Sequence, residues 1–333
     1  MTVIGVLSGK GGVGKTTLVA NLGVSLTRDF KQNVIIVDAN INSSHLGMHL
    51  GMYEDPNVTL KDVLNKNTPV SYAVYVHPTI GVRLLPAPLN AGDVKLEKIK
   101  KVVEELERTY DIVILDTAPG LGKEVMTVLP SIDTSFIVTT PDLPAVSNSL
   151  KSLNLLQKFR KNAAGVVVNR VTKKRYELLN SEIENAFNRN IVALIPEDGK
   201  VPESIYKGIP LVMFSKNSRA SLEIKKFAAR IIGKKYETGG MMEKIRDMFR
   251  FLVGSNYDEE LPPIIPKSMP TNRKIKKLPV PEKVEEPEEE NGEDEDEKEV
   301  KDVKVLEKEV EDELKEELKA EVLKKVRKKL GYR

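Results

Sequence analysis

The sequence predicts an α/β protein: a doubly wound, mostly parallel sheet in the first 235 residues, followed by a disordered or helical C-terminal tail. Three observations predict this fold class. Short β-branched runs alternate with helical stretches, which is typical of parallel sheets flanked by helices. The runs are apolar throughout, as strands covered on both faces are. Prolines and charged residues replace this pattern after residue 257.

The individual elements follow from these patterns. The predicted strands are 3–7, 34–37, 82–85, 112–115, 136–139, 166–168 and 191–195. The predicted helices are 15–28, 96–108, 144–159, 176–187 and 218–232. In such a sheet ligands bind beyond the carboxyl ends of the strands, and several of the polar residues considered below follow directly on those ends.

The C-terminal part differs from the rest in proline content and charge. From Asp258 to Arg333 there are 24 acidic and 18 basic residues, whereas the first 257 residues have 34 basic and 25 acidic ones. Between Glu282 and Glu299 there are 12 acidic and 2 basic residues, too polar a segment to offset its ordering entropy. We therefore predict a folded domain over 1–235, an amphipathic helix over 236–257, a disordered linker over 258–301 and a charged helical tail over 302–333.

The composition excludes several classes of protein. The chain has no cysteine, which rules out disulfides, thiolate zinc sites, iron–sulfur clusters and cysteine nucleophiles. It has neither a run of about eighteen apolar residues nor the pattern of a secretory signal at its N-terminus. We therefore expect a cytoplasmic location.

A glycine-rich loop follows the first predicted strand. Residues 9–16 read GKGGVGKT and fit the pattern G-x-x-x-x-G-K-[ST], between a strand and a helix as that motif requires. Glycines let backbone N–H groups turn toward a phosphate, and the helix N-terminus adds partial positive charge. Lys15 is expected to contact the β- and γ-phosphates of a nucleotide and Thr16 to bind Mg²⁺. The full set of predicted phosphate-loop residues is Gly11, Gly12, Val13, Gly14, Lys15, Thr16 and Thr17.

A second lysine, Lys10, lies inside this loop, although phosphate binding within one chain does not need it. The string GKGGVGKTT resembles the deviant Walker A motif of the MinD/ParA family, and the chain looks most like archaeal MinD-type proteins. The resemblance covers about residues 1–235. It implies an ATPase with ATP and Mg²⁺ as cofactors and a homodimer that forms on ATP binding, in which Lys10 reaches the partner's nucleotide. An exposed loop lysine without this role is the alternative.

The resemblance extends to the ends of two later strands. Asp38, at the end of VIIVD, resembles the entry to switch I, and Asp116, in IVILDTAPG, resembles the Walker B and switch II segment. Thr16, Asp38 and Asp116 are thereby implied as Mg²⁺ ligands, partly through water. Gly120 is implied as the position at which switch II moves. A cap or turn residue is the alternative for either aspartate.

Two further segments resemble the adenine-binding part of the family. Asn169 and Arg170 end the run VVVNR, and Pro196 and Asp198 follow the last predicted strand. The resemblance implies that Asn169 contacts the edge of the base. It also implies that the backbone around Pro196 lines the base pocket.

One departure from the family pattern concerns hydrolysis. The family usually has D-x-D after the second strand, whereas this chain has Asp38-Ala39-Asn40. An amide accepts a hydrogen bond from water but lacks the charge that orients and polarises it. We therefore predict slow ATP hydrolysis, with Lys10, Lys15, Asp38 and Asn40 as the catalytic set. The alternative is that another residue positions the water and Asn40 is neutral.

A candidate membrane helix follows Gly240. In the segment MMEKIRDMFRFLVG, apolar residues fall on one helical face, among them Ile245, Met248, Phe249 and Leu252. The segment resembles the membrane-targeting helix of MinD, which usually ends the chain. We expect these four residues to contact an anionic membrane surface; a helix docked on the folded core is the alternative. The basic segment 318–330 is a second candidate for membrane contact; a solvated charged helix and a partner-binding segment are the alternatives.

Two function classes remain. The first is a MinD-like ATPase that dimerises on ATP, attaches reversibly to the inner face of the cell membrane and positions an unidentified protein partner, in cell division or polar organisation. The second is a ParA-like partition ATPase that binds DNA non-specifically as an ATP dimer, which the basic first 257 residues permit. The absence of cysteine excludes the iron–sulfur scaffolds of this fold. A nucleotide-gated adaptor that does not hydrolyse ATP is a further alternative, because Asn40 replaces the usual aspartate.

Overall fold

The sheet is described by a computed structural model for residues 1–53, 56–88 and 92–236. The strands in this part of the chain are β1 (Thr2–Leu7), β2 (Val34–Ala39), β3 (Tyr75–Val76), β4 (Arg83–Leu85), β5 (Ile112–Thr117), β6 (Thr134–Thr139), β7 (Ala163–Val171) and β8 (Ile191–Pro196). They form one sheet in the order β3-β4-β2-β5-β1-β6-β7-β8. Every neighbouring pair is parallel except β3 with β4.

Helices connect the strands. They are α1 (Lys15–Arg28), α2 (Leu46–His49), α3 (Leu60–Lys66), α4 (Val70–Ala73), α5 (Ile99–Glu107), α6 (Lys123–Val128), α7 (Leu143–Lys158), α8 (Asn180–Phe187), α9 (Lys200–Tyr206), α10 (Leu211–Phe214) and α11 (Arg219–Ile231). Short 3-10 turns cover Ile41–Ser43, Leu96–Lys98 and Leu129–Ser131. Among the described residues, no helix is both long and apolar enough to cross a membrane.

The central strands explain why the sequence shows continuous apolar runs. Every residue of β1, β2 and β5 is buried, because helices cover both faces of the sheet. The connection from β1 crosses β5 to reach β2, and the connection from β5 crosses β1 in the opposite direction to reach β6. The carboxyl ends of β1 and β5 therefore form the point at which the winding reverses, where α/β sheets bind ligands. The predicted doubly wound, mostly parallel fold is confirmed.

The predicted helix 176–187 begins too early. The observed helix α8 starts at Asn180, because Glu182 accepts a hydrogen bond from the N–H of Leu179 (2.7 Å) and caps the helix there. Residues before it form a loop in which the Glu177 carboxylate accepts from the N–H groups of Thr172 (2.9 Å) and Lys173 (2.7 Å). Side-chain hydrogen bonds of this kind decide a helix start that apolar periodicity alone extends too far.

The predicted helix 96–108 is divided into the 3-10 turn Leu96–Lys98 and α5. Several short elements were not predicted, because each has too few residues to show a periodic pattern. They are β3, α2, α3, α4, α6, α9 and α10. Residues 237–333 lie outside the described residues. They contain the predicted linker, the charged tail and the four candidate membrane residues Ile245, Met248, Phe249 and Leu252.

Candidate nucleotide-binding site

The phosphate loop connects β1 to α1 at the centre of the sheet. Gly12 and Gly14 adopt left-handed backbone angles, with φ of 79° and 88°, which favour glycine. A Cβ at Gly9 would lie 2.1 Å from the backbone carbonyl carbon of Asn148, so the loop packs directly on α7. At Gly11, in contrast, a Cβ would meet no atom of the described residues within 4 Å, its two chain neighbours aside. The loop is therefore fixed at its base and open where phosphate is expected to bind.

Lys15 forms a buried ion pair at the start of α1. Its ammonium lies 2.6 Å from Oδ1 of Asp116, and the two side chains are only 6 % and 1 % exposed. Asp116 stands near the end of β5, in register with Val6 of β1 on one side and with Asp38 of β2 on the other. The parallel register thus brings residues far apart in sequence to one edge of the sheet.

Asp38 lies next to Asp116 and is buried. Burial, followed by the negative charge of Asp116, raises the pKa of Asp38 from 3.8 to about 7. Three hydrogen bonds to its carboxylate act in the opposite direction: from the Ser44 hydroxyl (2.9 Å), from the N–H of Asn40 (3.1 Å) and from the N–H of Leu46 (3.3 Å). The site therefore concentrates negative charge that a cation would relieve.

The donor set fits a magnesium ion. Two carboxylates meet beside one ammonium, and Oδ2 of Asp116 is buried with no hydrogen-bond partner among the described residues. Thr16 is half-buried in the first turn of α1, where its hydroxyl supplies another oxygen. Mg²⁺ prefers oxygen ligands and usually takes one or two carboxylates together with phosphate and water oxygens.

Asn40 lies two residues beyond Asp38 in the loop that leaves β2. Its side-chain amide donates a hydrogen bond to the carbonyl of Ser43 (2.8 Å), which closes the 3-10 turn Ile41–Ser43. Asn42 of this turn donates to the carboxylate of Glu124 in α6, a contact that links this loop to the segment after β5. Asn40 thus already has a local structural role.

Lys10 lies at the exposed side of the phosphate loop and pairs with Asp142. Its ammonium is 3.4 Å from Oδ1 of Asp142, and the two side chains are 40 % and 45 % exposed. Asp142 also caps α7, because it accepts a hydrogen bond from the N–H of Ala145 (2.9 Å). The sequence reasoning missed Asp142. Its position after β6, directly before a helix with proline in its first turn, is the signal that would have found it.

The predicted switch II glycine contacts the phosphate loop. Gly120 has φ of 85°, and its N–H donates a hydrogen bond to the carbonyl of Ser8 (2.8 Å). A left-handed backbone lets the chain turn sharply there, so the segment after Asp116 returns toward β1.

Asn169 contacts the phosphate loop from the other side. Its side-chain amide donates to the carbonyl of Val13 (2.8 Å), and a Cβ at Gly14 would lie 2.2 Å from that amide nitrogen. Thr17, in the first turn of α1, accepts a hydrogen bond from the Asn21 amide (2.8 Å). The predicted base-contacting residue and the phosphate loop are therefore one packed unit.

The remaining predicted residues lie at the ends of β7 and β8. Arg170 forms an exposed ion pair with Glu197 (2.8 Å), and Pro196 is in register with Val171. Asp198 accepts a hydrogen bond from the N–H of Lys200 (2.9 Å) at the start of α9. The structure brings these residues to the same edge of the sheet as the phosphate loop, at the side of β7 and β8.

Comparison with known proteins places the chain and its fold in one family. The ParA family profile described as NUBPL iron-transfer P-loop NTPase matches residues 1–232. The chain belongs to the ParA family of P-loop NTPases. ATP and Mg²⁺ are the cofactors that P-loop NTPases of this family use, in agreement with the sequence analysis. The 333 residues include no cysteine, so none of them supplies a thiolate ligand for a metal cluster.

The relatives include MinD proteins. The chain is 33 % identical over 254 residues to an uncharacterized ATP-binding protein of Methanocaldococcus jannaschii, covering 75 % of this chain and 95 % of that protein. It is 31 % identical to the septum site-determining protein MinD of Thermotoga maritima, covering 74 % and 97 %. The structure of MinD from Pyrococcus horikoshii complexed with Mg-ADP superposes with a TM-score of 0.66 at 28 % identity, covering 69 % of this chain and 95 % of that one. The ParA family member described here is therefore similar to MinD.

Proposed function

We propose that the protein is a MinD-like ATPase that dimerises on ATP, binds reversibly to the inner face of the cell membrane and positions a protein partner in cell division or spatial organisation. The observation that carries this proposal is Lys10: a second lysine on the open side of a complete phosphate loop, paired among the described residues only with a half-exposed aspartate. A lysine so placed is free to reach a nucleotide in a second copy of the chain. The similarity of the chain to MinD proteins supports the same function.

Within one chain, the phosphate loop and α1 hold the nucleotide. Backbone N–H groups of residues 11–16 surround the phosphates, and Lys15 exchanges Asp116 for the β- and γ-phosphate oxygens. Thr16, Asp38 and Asp116 hold Mg²⁺, partly through water. When bound there, the ion would supply positive charge against the phosphates during hydrolysis. On the base side, Asn169 contacts the adenine edge, while Arg170, Pro196 and Asp198 line the pocket.

Dimerisation tests the role of Lys10. In sedimentation experiments on the full chain with Mg²⁺ and a non-hydrolysable ATP analogue, we expect a dimer that Lys10→Ala abolishes. Lys95→Ala removes an exposed lysine distant in sequence from the phosphate loop and serves as the matched control. If Lys10→Ala dimerises as well as the control does, Lys10 does not act across an interface.

Hydrolysis is proposed to be slow because Asn40 stands where the family has an aspartate. In this chain the Asn40 amide donates to the Ser43 carbonyl (2.8 Å), a bond that an aspartate cannot make. We expect Asn40→Asp to increase the single-turnover rate of ATP hydrolysis while weakening the turn Ile41–Ser43. An unchanged rate in a variant that is still folded would show that another residue orients the water.

Membrane attachment is assigned to residues 241–253, with Ile245, Met248, Phe249 and Leu252 on the lipid side. One short amphipathic helix binds a bilayer weakly, in the manner of a single acyl chain. Two such helices on a dimer gain about a hundredfold or more in avidity if both bind the membrane together. Sedimentation with anionic vesicles should therefore retain the protein with ATP and release it with ADP; equal binding in both states refutes an ATP-dependent anchor.

A ParA-like affinity for DNA is the second candidate, and one surface loop favours it. Lys173, Lys174 and Arg175 are the only three consecutive cations in residues 1–236, and all three are exposed. Phosphate contacts by lysine and arginine give a sequence-independent, salt-dependent affinity. Retention of the full chain on duplex DNA that requires ATP, falls with salt and is lost in Lys173→Glu/Arg175→Glu would favour partition over membrane positioning.

A further inference from the structure

Four exposed apolar side chains lie in or directly beside the turns that follow α2 and α9. Met48 and Tyr53 are 43 % and 61 % exposed, and Tyr206 and Ile209 are 86 % and 40 % exposed. Tyrosine and methionine are enriched where proteins bind partners, because they offer large apolar area at low entropic cost. We call these four residues the turn patch.

The two turns that bear the patch touch each other. A Cβ at Gly51 would lie 2.3 Å from the carbonyl oxygen of Gly208, and a Cβ at Gly208 would lie 2.1 Å from the hydroxyl of Tyr53. Both glycines have left-handed backbone angles, with φ of 75° and 60°. Each of the four side chains lies within three residues of one of these glycines, so the close approach of the two turns places the four near one another.

We propose that residues 241–253 of the same chain dock their apolar face on the turn patch when no nucleotide is bound. This inference deepens the proposed function and rests on it, since it assigns the resting place of the segment that is proposed to bind the membrane. The segment carries Met242, Ile245, Met248, Phe249 and Leu252 at helical spacing. Exposure to water is unfavourable for the apolar face of this segment and for the turn patch. A contact between the two removes both apolar surfaces from water.

The chain length permits this contact. The last described residue, Tyr236, packs its ring against Phe30 just beyond α1, with ring centroids 6.1 Å apart. The turn that carries Ile209 is fixed against the middle of α1, because the N–H of Val212 donates to the Asn21 side chain (2.9 Å). From Asn21 to the end of α1 the helix advances about 10 Å. Residues 237–240 reach about 14 Å when extended, and a helix over 241–253 is about 20 Å long, so the segment reaches the patch.

The patch is connected to the nucleotide site through Asp38. Its carboxylate accepts hydrogen bonds from the Ser44 hydroxyl (2.9 Å) and from the N–H of Leu46 (3.3 Å), the first residue of α2. Met48 lies in the same helix. A cation held by Asp38 would compete for the carboxylate oxygen that accepts these two bonds, and α2 would then lose an anchor. The release of segment 241–253 by nucleotide and metal would follow from that loss.

The chain contains no tryptophan, so a single introduced one reports on the segment alone. In full-length Phe249→Trp without nucleotide or vesicles, we expect blue-shifted emission and protection from acrylamide quenching. Adding Tyr53→Ser and Tyr206→Ser should lower the docked-to-free ratio about tenfold or more for each aromatic ring removed, with emission shifting to the red. The matched control is Tyr176→Ser with Leu179→Ser, two exposed apolar residues on another loop, which should leave the spectrum unchanged.

Three results would overturn docking within one chain. The first is emission typical of a solvent-exposed tryptophan in the Phe249→Trp chain that has no other substitution. The second is an equal response to the patch substitutions and to the control substitutions. The third is a blue shift that depends on protein concentration, which would assign the contact to a second copy.

A second readout separates this inference from the proposed function. The patch variant should bind anionic vesicles without ATP, because its segment is no longer held. If no variant binds vesicles under any nucleotide condition while the tryptophan signal still depends on the patch, the membrane function fails and docking stands. If the signal does not depend on the patch, docking fails whatever the vesicles show.

Discussion

Replacing Asp142 by asparagine is expected to strengthen the proposed ATP-dependent dimer. The Lys10–Asp142 pair must open before Lys10 can reach a nucleotide in a second chain. Asparagine caps a helix about as well as aspartate does, so α7 keeps its hydrogen bond from the N–H of Ala145. The substitution therefore removes the ion pair while preserving the helix start.

The magnitude follows from the exposure of the pair. With side chains 40 % and 45 % exposed and 3.4 Å between the charged atoms, the pair belongs to the exposed class. Such pairs contribute about 0.2–1 kcal/mol. A symmetric dimer opens two of them, so the cost is about 0.4–2 kcal/mol, and its removal lowers the dimer dissociation constant about 2- to 30-fold.

Sedimentation of the full chain with Mg²⁺ and a non-hydrolysable ATP analogue measures this constant. Asp142→Ala is the control for the cap. It also frees Lys10, but it loses the cap and should lower the unfolding free energy by about 1 kcal/mol. A dissociation constant that rises in Asp142→Asn, with stability unchanged, would refute the reasoning, because it would show that Asp142 contributes to the dimer rather than restraining Lys10.

The same pair predicts a pH effect on stability. Burial raises the pKa of Asp142, but hydrogen bonds from the Thr140 hydroxyl and the N–H of Ala145, together with Lys10, lower it overall below 3.8. The contribution of Asp142 to stability is thus fully present at neutral pH and is lost as the pH falls through that lowered pKa. Three further predictions concern the phosphate loop and a residue that contacts it. Lys15→Ala leaves the Asp116 carboxylate buried without its cation, so urea denaturation of the nucleotide-free chain should show a loss of about 3–5 kcal/mol; a loss below about 1 kcal/mol would contradict the buried pair. Gly9→Ala should cost about 1–3 kcal/mol, because its Cβ would overlap the Asn148 backbone, whereas Gly11→Ala should change stability by less than about 0.5 kcal/mol in the same measurement. Asn169→Ala should weaken ATP binding in calorimetry by about 1–3 kcal/mol, since the Val13 carbonyl loses its donor; unchanged affinity would show that this hydrogen bond does not shape the phosphate loop for nucleotide.

The strands and the phosphate loop could be predicted because their signals are local. A buried parallel strand needs a continuous apolar run, and a phosphate loop needs glycines at fixed spacing before a helix. The ends of β2 and β5 could be identified as candidate sites because an aspartate interrupts each apolar run at Asp38 and Asp116. What the sequence could not show is that these two aspartates are in register, since strand order is a property of the whole sheet.

The partners of the two lysines were beyond prediction for the same reason. Lys15 and Asp116 are 101 residues apart, and Lys10 and Asp142 are 132 residues apart. No local pattern connects them; β1 lies between β5 and β6 only once the sheet has formed. The start of α8 was predicted wrongly for a different reason. The apolar spacing of 176–187 continues past Glu182, whose carboxylate fixes the true helix start.

The difference in burial between the two lysine pairs orders the events at the site. Opening the buried Lys15–Asp116 pair without a replacement leaves two charges unpaired in a low-dielectric environment, which costs several kcal/mol. Phosphate oxygens for Lys15 and a divalent cation for Asp116 supply both replacements at the same time, so this exchange requires nucleotide and metal together. The Lys10–Asp142 pair is half-exposed, and water solvates its charges as it opens. Lys15 is therefore expected to commit the chain to a Mg²⁺-bound nucleotide, whereas Lys10 can leave its aspartate at low cost for the proposed dimer interface.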